Sequence, residues 1–88
     1  MRNDAETADI RDTVARYQRG LYTSAPGAEN LVAGARIDAY TQGNFDARCG
    51  LTEPPSEFAE YAELLVEWQR GHASTSLAQL DEIYQPAA

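Results

Sequence analysis

Apolar residues recur along this chain at helical spacing, and no stretch shows the strict alternation of a half-buried strand. Ile10, Val14, Tyr17 and Leu21 fall at i, i+4, i+7 and i+11, which predicts a helix over residues 5–21 with one narrow apolar face. Asn3 or Asp4 suits its N-cap, and Asp4, Glu6 and Asp9 suit the positive end of its dipole. Asp12 stands four residues before Arg16, a pairing that supports a helix by about 0.3 kcal/mol. Residues 23–27, Thr-Ser-Ala-Pro-Gly, read as a turn. A second helix is predicted over 28–42, with Leu31, Val32, Ala35, Ala39 and Tyr40 on its apolar side and Gly34 as a point of close helix–helix approach. Gly43 and Asn44 both tolerate the left-handed conformation and are read as its stop.

Residues 44–52 read as a short turn that plugs Phe45 and Leu51 into the core. Thr52 to Ser56 contains Pro54 and Pro55, which suit the first turn of a third helix over 55–70. In it Phe58, Tyr61, Leu65, Trp68 and His72 repeat with spacing 3-4-3-4, a coiled-coil-like seam, while Glu60, Glu63 and Glu67 lie on the opposite face. Gly71 is read as its end. A fourth, shorter helix starts near Ser76, with Ser76 and Gln79 as a capping box, Leu77, Leu80, Ile83 and Tyr84 as its apolar face and Pro86 as its close. The pattern predicts an all-α fold over residues 1–88. It is a small antiparallel bundle of three main helices plus a shorter C-terminal helix, with helices one and three packed on each other.

Composition bears on what such a bundle can do. Five Tyr, two Phe and one Trp mark a globular chain rather than an acidic disordered tail. Many of the apolar residues are alanines, which bring little core volume, so a partner or a homodimer is expected to complete the core. The net charge is −7, and it is uneven. Residues 49–88 carry seven acids against Arg70 alone, whereas residues 1–48 carry seven acids against six arginines. An excess of this sign argues against direct nucleic-acid binding and against an anionic membrane surface, and points to a basic protein surface as partner. The one cysteine, Cys49, leaves no disulfide framework to build, and a polar N-terminus without a hydrophobic signal region predicts a cytoplasmic protein.

Glu57, Glu60, Glu63 and Glu67 are the first candidate site, a stripe relieved only by Arg70 and suited to docking on a basic groove, although a charge run of this kind is most often a solvated face. A metal centre has little support: the only histidine, His72, has Gln69 at i−3, where a bundle di-iron motif has Glu. Cys49 and His72 would need to meet, with a third group orienting the base, to make a nucleophilic pair. The simpler reading takes Cys49 as a packed residue and His72 as a helix-terminal cation. Among the aromatics, Tyr22 and Tyr84 flank helix ends and are the candidates for partner contact. Gly20, Gly27 and Gly34 form no phosphate-binding loop. No catalytic, cofactor-binding or metal-ligating residue is assigned.

Residues 9–17, Asp-Ile-Arg-Asp-Thr-Val-Ala-Arg-Tyr, resemble the opening helix of the cone-shaped α+β family related to polyketide cyclases. That family continues into a curved antiparallel sheet in a longer chain, whereas the residues that follow here read as helix, so no site residue is carried across. The function expected from the residues is stoichiometric binding to a basic protein surface, as an inhibitor or adaptor. Small acidic chains that mask nucleic-acid-binding grooves, of the kind encoded by phages and mobile elements, offer the analogy of class. An accessory subunit of a larger assembly is the alternative, and an enzyme is the third reading.

Overall fold

The computed structural model describes the backbone of residues 2–84 and the side chains of residues 2–75, and every regular element there is helical. Helix α1 spans Asp4–Tyr22, α2 Ala28–Arg48 and α3 Ala62–Tyr84, with one 3₁₀ turn at Ser56–Phe58 before α3. The all-α expectation holds. The separate fourth helix does not, because α3 runs unbroken through Gly71 and Ser76. The side chains of Ser76, Gln79 and Tyr84, singled out above, lie outside the described residues.

Asn3 starts α1. Its side chain accepts from the Glu6 N–H at 2.8 Å, satisfying a donor that the first helical turn leaves open. The buried face is Ile10, Thr13 and Tyr17, with Val14 half-buried and Leu21 48% exposed. The stripe is thus rotated from the predicted one, toward α2.

Helix α2 continues six residues past its expected stop at Gln42, and its buried residues are Ala35, Ala39, Gly43 and Asp46. Three of these are small and fall at i, i+4 and i+8. The alanines that promised little core volume have another use. They let α2 lie close between two neighbours, and α2 is the central helix, packed on both α1 and α3. No Cα pair within 8 Å joins α1 to α3 among the described residues; α1 packs instead on the 3₁₀ turn and on Tyr61 just before α3, and Tyr17 reaches Glu63 in the first turn of α3, so the expected packing of helices one and three is met only by residues 56–63. Gly34 is not the point of close approach either; a Cβ there would meet only the Arg16 Nη1, at 3.8 Å.

The contact between α2 and α3 centres on the two glycines read as helix stops. A Cβ on Gly43 would overlap the Trp68 carbonyl oxygen and lie 2.8 Å from the His72 nitrogen. A Cβ on Gly71 would overlap the Tyr40 carbonyl oxygen. Each glycine lets its helix meet the partner backbone directly, which is a packing role rather than a terminating one. The face of α3 that packs is accordingly Leu64, Trp68, Gly71 and Thr75, all buried. At 100° per residue this is about 60° from the predicted seam.

Direction corrects the antiparallel expectation in part. α1 and α2 form an antiparallel hairpin, since Arg2 reaches Asp46 and Arg16 reaches Asp38. α2 and α3 run in the same sense: Arg36 lies beside Glu67, Tyr40 against Gly71, and Thr75 donates to Asn44. Residues 49–61 make this orientation reachable by carrying the chain back along the hairpin. Pro55 and Phe58 are buried on the way, and Phe58, fully buried, replaces Phe45 and Leu51 as the plug. Phe45 is 42% exposed and Leu51 only half-buried. The Phe58 N–H donates to the Pro55 carbonyl and the Tyr61 N–H to the Phe58 carbonyl, both at 3.0 Å. These tight turns take up the residues predicted to open the third helix.

Candidate functional site

Two networks hold the bundle and frame its surface. At one end the Asp46 carboxylate is fully buried. It accepts from Arg2 Nη1 at 2.5 Å, Gln42 Nε2 at 2.9 Å and Trp68 Nε1 at 2.8 Å, so one carboxylate joins the segment leading into α1 to α2 and α3. Next to it the His72 ring stacks on Trp68, with centroids 4.8 Å apart, and its Nε2 lies 2.7 Å from the Leu51 carbonyl. At the other end the Tyr17 and Tyr61 rings meet edge to face at 5.6 Å, and Gln18 donates to the Tyr61 hydroxyl. Burial above all, and the Glu63 carboxylate after it, push the Tyr17 hydroxyl above its ordinary value of 10.0.

The surface feature of greatest chemical content lies on the outer side of the α1–α2 hairpin. A cleft of about 340 Å³ opens there, its α1 wall formed by Glu6, Asp9, Asp12, Thr13 and Arg16 and its α2 wall by Asp38, Thr41, Gln42 and Phe45. Helical spacing makes both walls. Residues 6, 9, 12, 13 and 16 share one face of α1, and residues 38, 41, 42 and 45 share one face of α2. Four carboxylates and one guanidinium therefore line the cleft, with Asp38 alone on the wall opposite Arg16. Arg16 spans it, donating through Nε to Asp12 at 2.9 Å and through Nη2 to Asp38 and, at 3.5 Å, to Thr13. The Asp38 hydrogen bond, ahead of the charge of Asp38 and of Asp12, raises the Arg16 pKa above its ordinary value and holds it charged. Beside the cleft, Ala33, Ile37, Thr41 and Phe45 follow one another at i+4 along α2, all exposed, Ile37 at 65%.

The predicted glutamate stripe does not lie on one helix. α3 begins after Glu60, so Glu57 sits in the 3₁₀ turn and Glu60 in the turn that follows, and only Glu63 and Glu67 share a helix. Both of these face Arg36, at 4.0 and 3.8 Å, and Glu67 also accepts from Arg70 at 2.6 Å. Their charge is partly matched within the chain. Tyr22 is 82% exposed at the end of α1. Cys49 is exposed at the end of α2 rather than packed.

The groove is hidden in the sequence because Glu6 and Asp9 suit the helix dipole, Asp12 pairs with Arg16 on its own helix, Asp38 carries no local signal and Phe45 reads as core. The 3- and 4-residue spacing of Glu6, Asp9, Asp12 and Thr13 was the signal that they share a wall. Among the described residues no group of three or more His, Cys, Asp or Glu is placed to hold a metal ion, and no helix is long and apolar enough to cross a membrane. Comparison with protein-family models, curated proteins and solved structures finds no match to this chain.

Proposed function

We propose that this chain acts by stoichiometric binding to another protein in the cytoplasm, and that the α1–α2 groove receives a basic, amphipathic segment of that partner. The observation that carries the reading is the pairing on one face of two features: carboxylates on both walls of a cleft and two exposed apolar side chains, Ile37 and Phe45, along its edge. Carboxylates alone would suit any cation in solution. An aromatic at the mouth adds a surface that gains from being covered, and the combination suits a helix with arginine or lysine on one side and apolar residues on the other. A partner surface of that chemistry includes those built to hold nucleic acid, and occupying such a surface makes an inhibitor. The role is a binding one, with no catalytic step assigned.

Glu60 in the turn before α3 and Glu63 on α3, both exposed, join this reading as a second acidic patch. A second reading, an accessory subunit held by apolar contacts, is favoured by Leu21, Tyr22 and Val66, each about half exposed or more.

The test is affinity capture from source-cell lysate at low and high salt, with the wild type beside two charge-reversed variants. In one, Glu6, Asp9 and Asp38 become Lys; in the other, Glu57, Glu60 and Glu63 do. A stoichiometric partner released by salt and lost only with the groove variant is the expected result. Loss only with the glutamate variant would move the site to the second acidic patch. A salt-resistant partner retained by both would transfer the role to the accessory-subunit reading.

A further inference from the structure

Resting on the docking reading above, we infer that Arg16 is a built-in occupant of the groove, holding the place that an arginine of the partner takes when it binds. The groove already accommodates a guanidinium. Arg16 lies between Asp12 on its own helix and Asp38 on the facing one, and Thr13 accepts from the same nitrogen that bonds Asp38. Carboxylates on opposite walls, a hydroxyl between them and a planar fork of donors are the elements of arginine recognition, met here within one chain.

The occupant is held loosely enough to be exchanged. The side chains of Asp12 and Asp38 are 67% and 43% exposed and that of Arg16 29%, so the pairs are surface pairs rather than a buried network. Asp46 and Arg2 show the contrast, with the carboxylate fully buried and held by three donors. Arg16 passes over Gly34, where a Cβ would lie 3.8 Å from its Nη1. Glu6 and Asp9 line the same groove and appear in none of its ion pairs, so a second cationic group of the partner has carboxylates to meet without displacing anything.

The consequence is a tax on affinity. A partner arginine binds the fraction of molecules in which Arg16 has let go of Asp38, and apparent affinity is lowered by that fraction. Removing Arg16 removes the tax. Surface pairs of this kind set its size at roughly 2–5-fold in affinity.

The experiment uses the full chain and a fluorescently labelled synthetic helical peptide with arginine on one face and leucine on the other, read by anisotropy at low salt. Three proteins are compared: wild type, Arg16→Gln and Arg11→Gln. Arg11 is exposed on α1 and lies outside the groove, so its loss changes the net charge equally without emptying the cleft. Arg16→Gln is expected to bind roughly 2–5-fold tighter, and Arg11→Gln to stay near wild type because its charge is screened. Unchanged or weaker binding by Arg16→Gln overturns the inference, as does an equal gain from Arg11→Gln, which would be a net-charge effect. Should circular dichroism show Arg16→Gln unfolded, Arg16→Lys carries the test. It keeps the charge but loses the fork, and it should tighten binding by a smaller factor; no gain there overturns the inference too. Binding by none of the proteins removes the docking reading, and this inference with it. Wild-type binding without the Arg16 gain removes this inference alone.

Discussion

Gly43 of α2 and Gly71 of α3 are placed so that a Cβ on either would enter the backbone of the opposite helix, at Trp68 and at Tyr40 respectively. Alanine is the better helix former by about 1 kcal/mol, so propensity alone would have either substitution stabilise the protein. The backbone overlap decides the sign. Gly43→Ala and Gly71→Ala are each expected to destabilise by about 1–3 kcal/mol, lowering Tm by roughly 5–15 °C. Gly34→Ala, with only a movable Arg16 nearby, should stabilise by about 0.5–1 kcal/mol. Thermal melts followed by circular dichroism check all three, and a gain at Gly43 or Gly71 would contradict the packing.

Asp46 is the polar keystone of the other contact. Asp46→Ala leaves the Trp68 N–H, the Gln42 amide and Arg2 without their common acceptor, and the expected loss is about 2–4 kcal/mol. Asp46→Asn keeps an acceptor for Trp68 and should lose less. Urea titration read by the single tryptophan measures both, and it reports from the site itself.

Tyr17 gives the fold an alkaline limit. Its hydroxyl titrates above the ordinary value of 10.0 because burial, and then Glu63, disfavour the tyrosinate. The neutral form is the one the fold prefers, so its contribution is complete below pH 10.0 and is lost as pH rises through the raised folded value. Tm should fall above that pH, and Tyr17→Phe should fall less steeply over the same window. A wild-type melt that stays flat there would show that Tyr17 is not confined.

Cys49 is exposed at the end of α2. A thiol reagent in native buffer should modify one equivalent to completion, with no change in helicity. A requirement for denaturant would place the thiol inside.

The helices themselves were legible because each buries a face at 3- and 4-residue spacing, and that period survives in the sequence around Ile10, Ala35 and Trp68. Their ends were less so. Gly43 and Gly71 carry the same local signature whether a helix stops or is crossed, and only the neighbouring backbone separates the two. Pro54 and Pro55 fit a helix start, yet here they shape a return path that ends in the Phe58 turn. Asp46 gave no sign of its role, since its partners Arg2 and Trp68 lie 44 and 22 residues away. The groove is legible only once Arg16 and Asp38, 22 residues apart, are known to face each other.

The shared direction of α2 and α3 has a practical side. Arg2 sits at the level of Asp46, and α3 passes Asn44 at Thr75 on its way to Tyr84, so both ends of the described chain leave from the same pole of the bundle. The turn at residues 23–27 lies at the other pole. A fusion at either terminus, or at both, therefore crowds one pole only, and the molecule can be tethered to a surface by that pole with the hairpin turn pointing away. Grafted loops belong in that exposed turn, whereas residues 49–61, which hold Pro55 and Phe58 in the interior, are where an insertion would cost the fold.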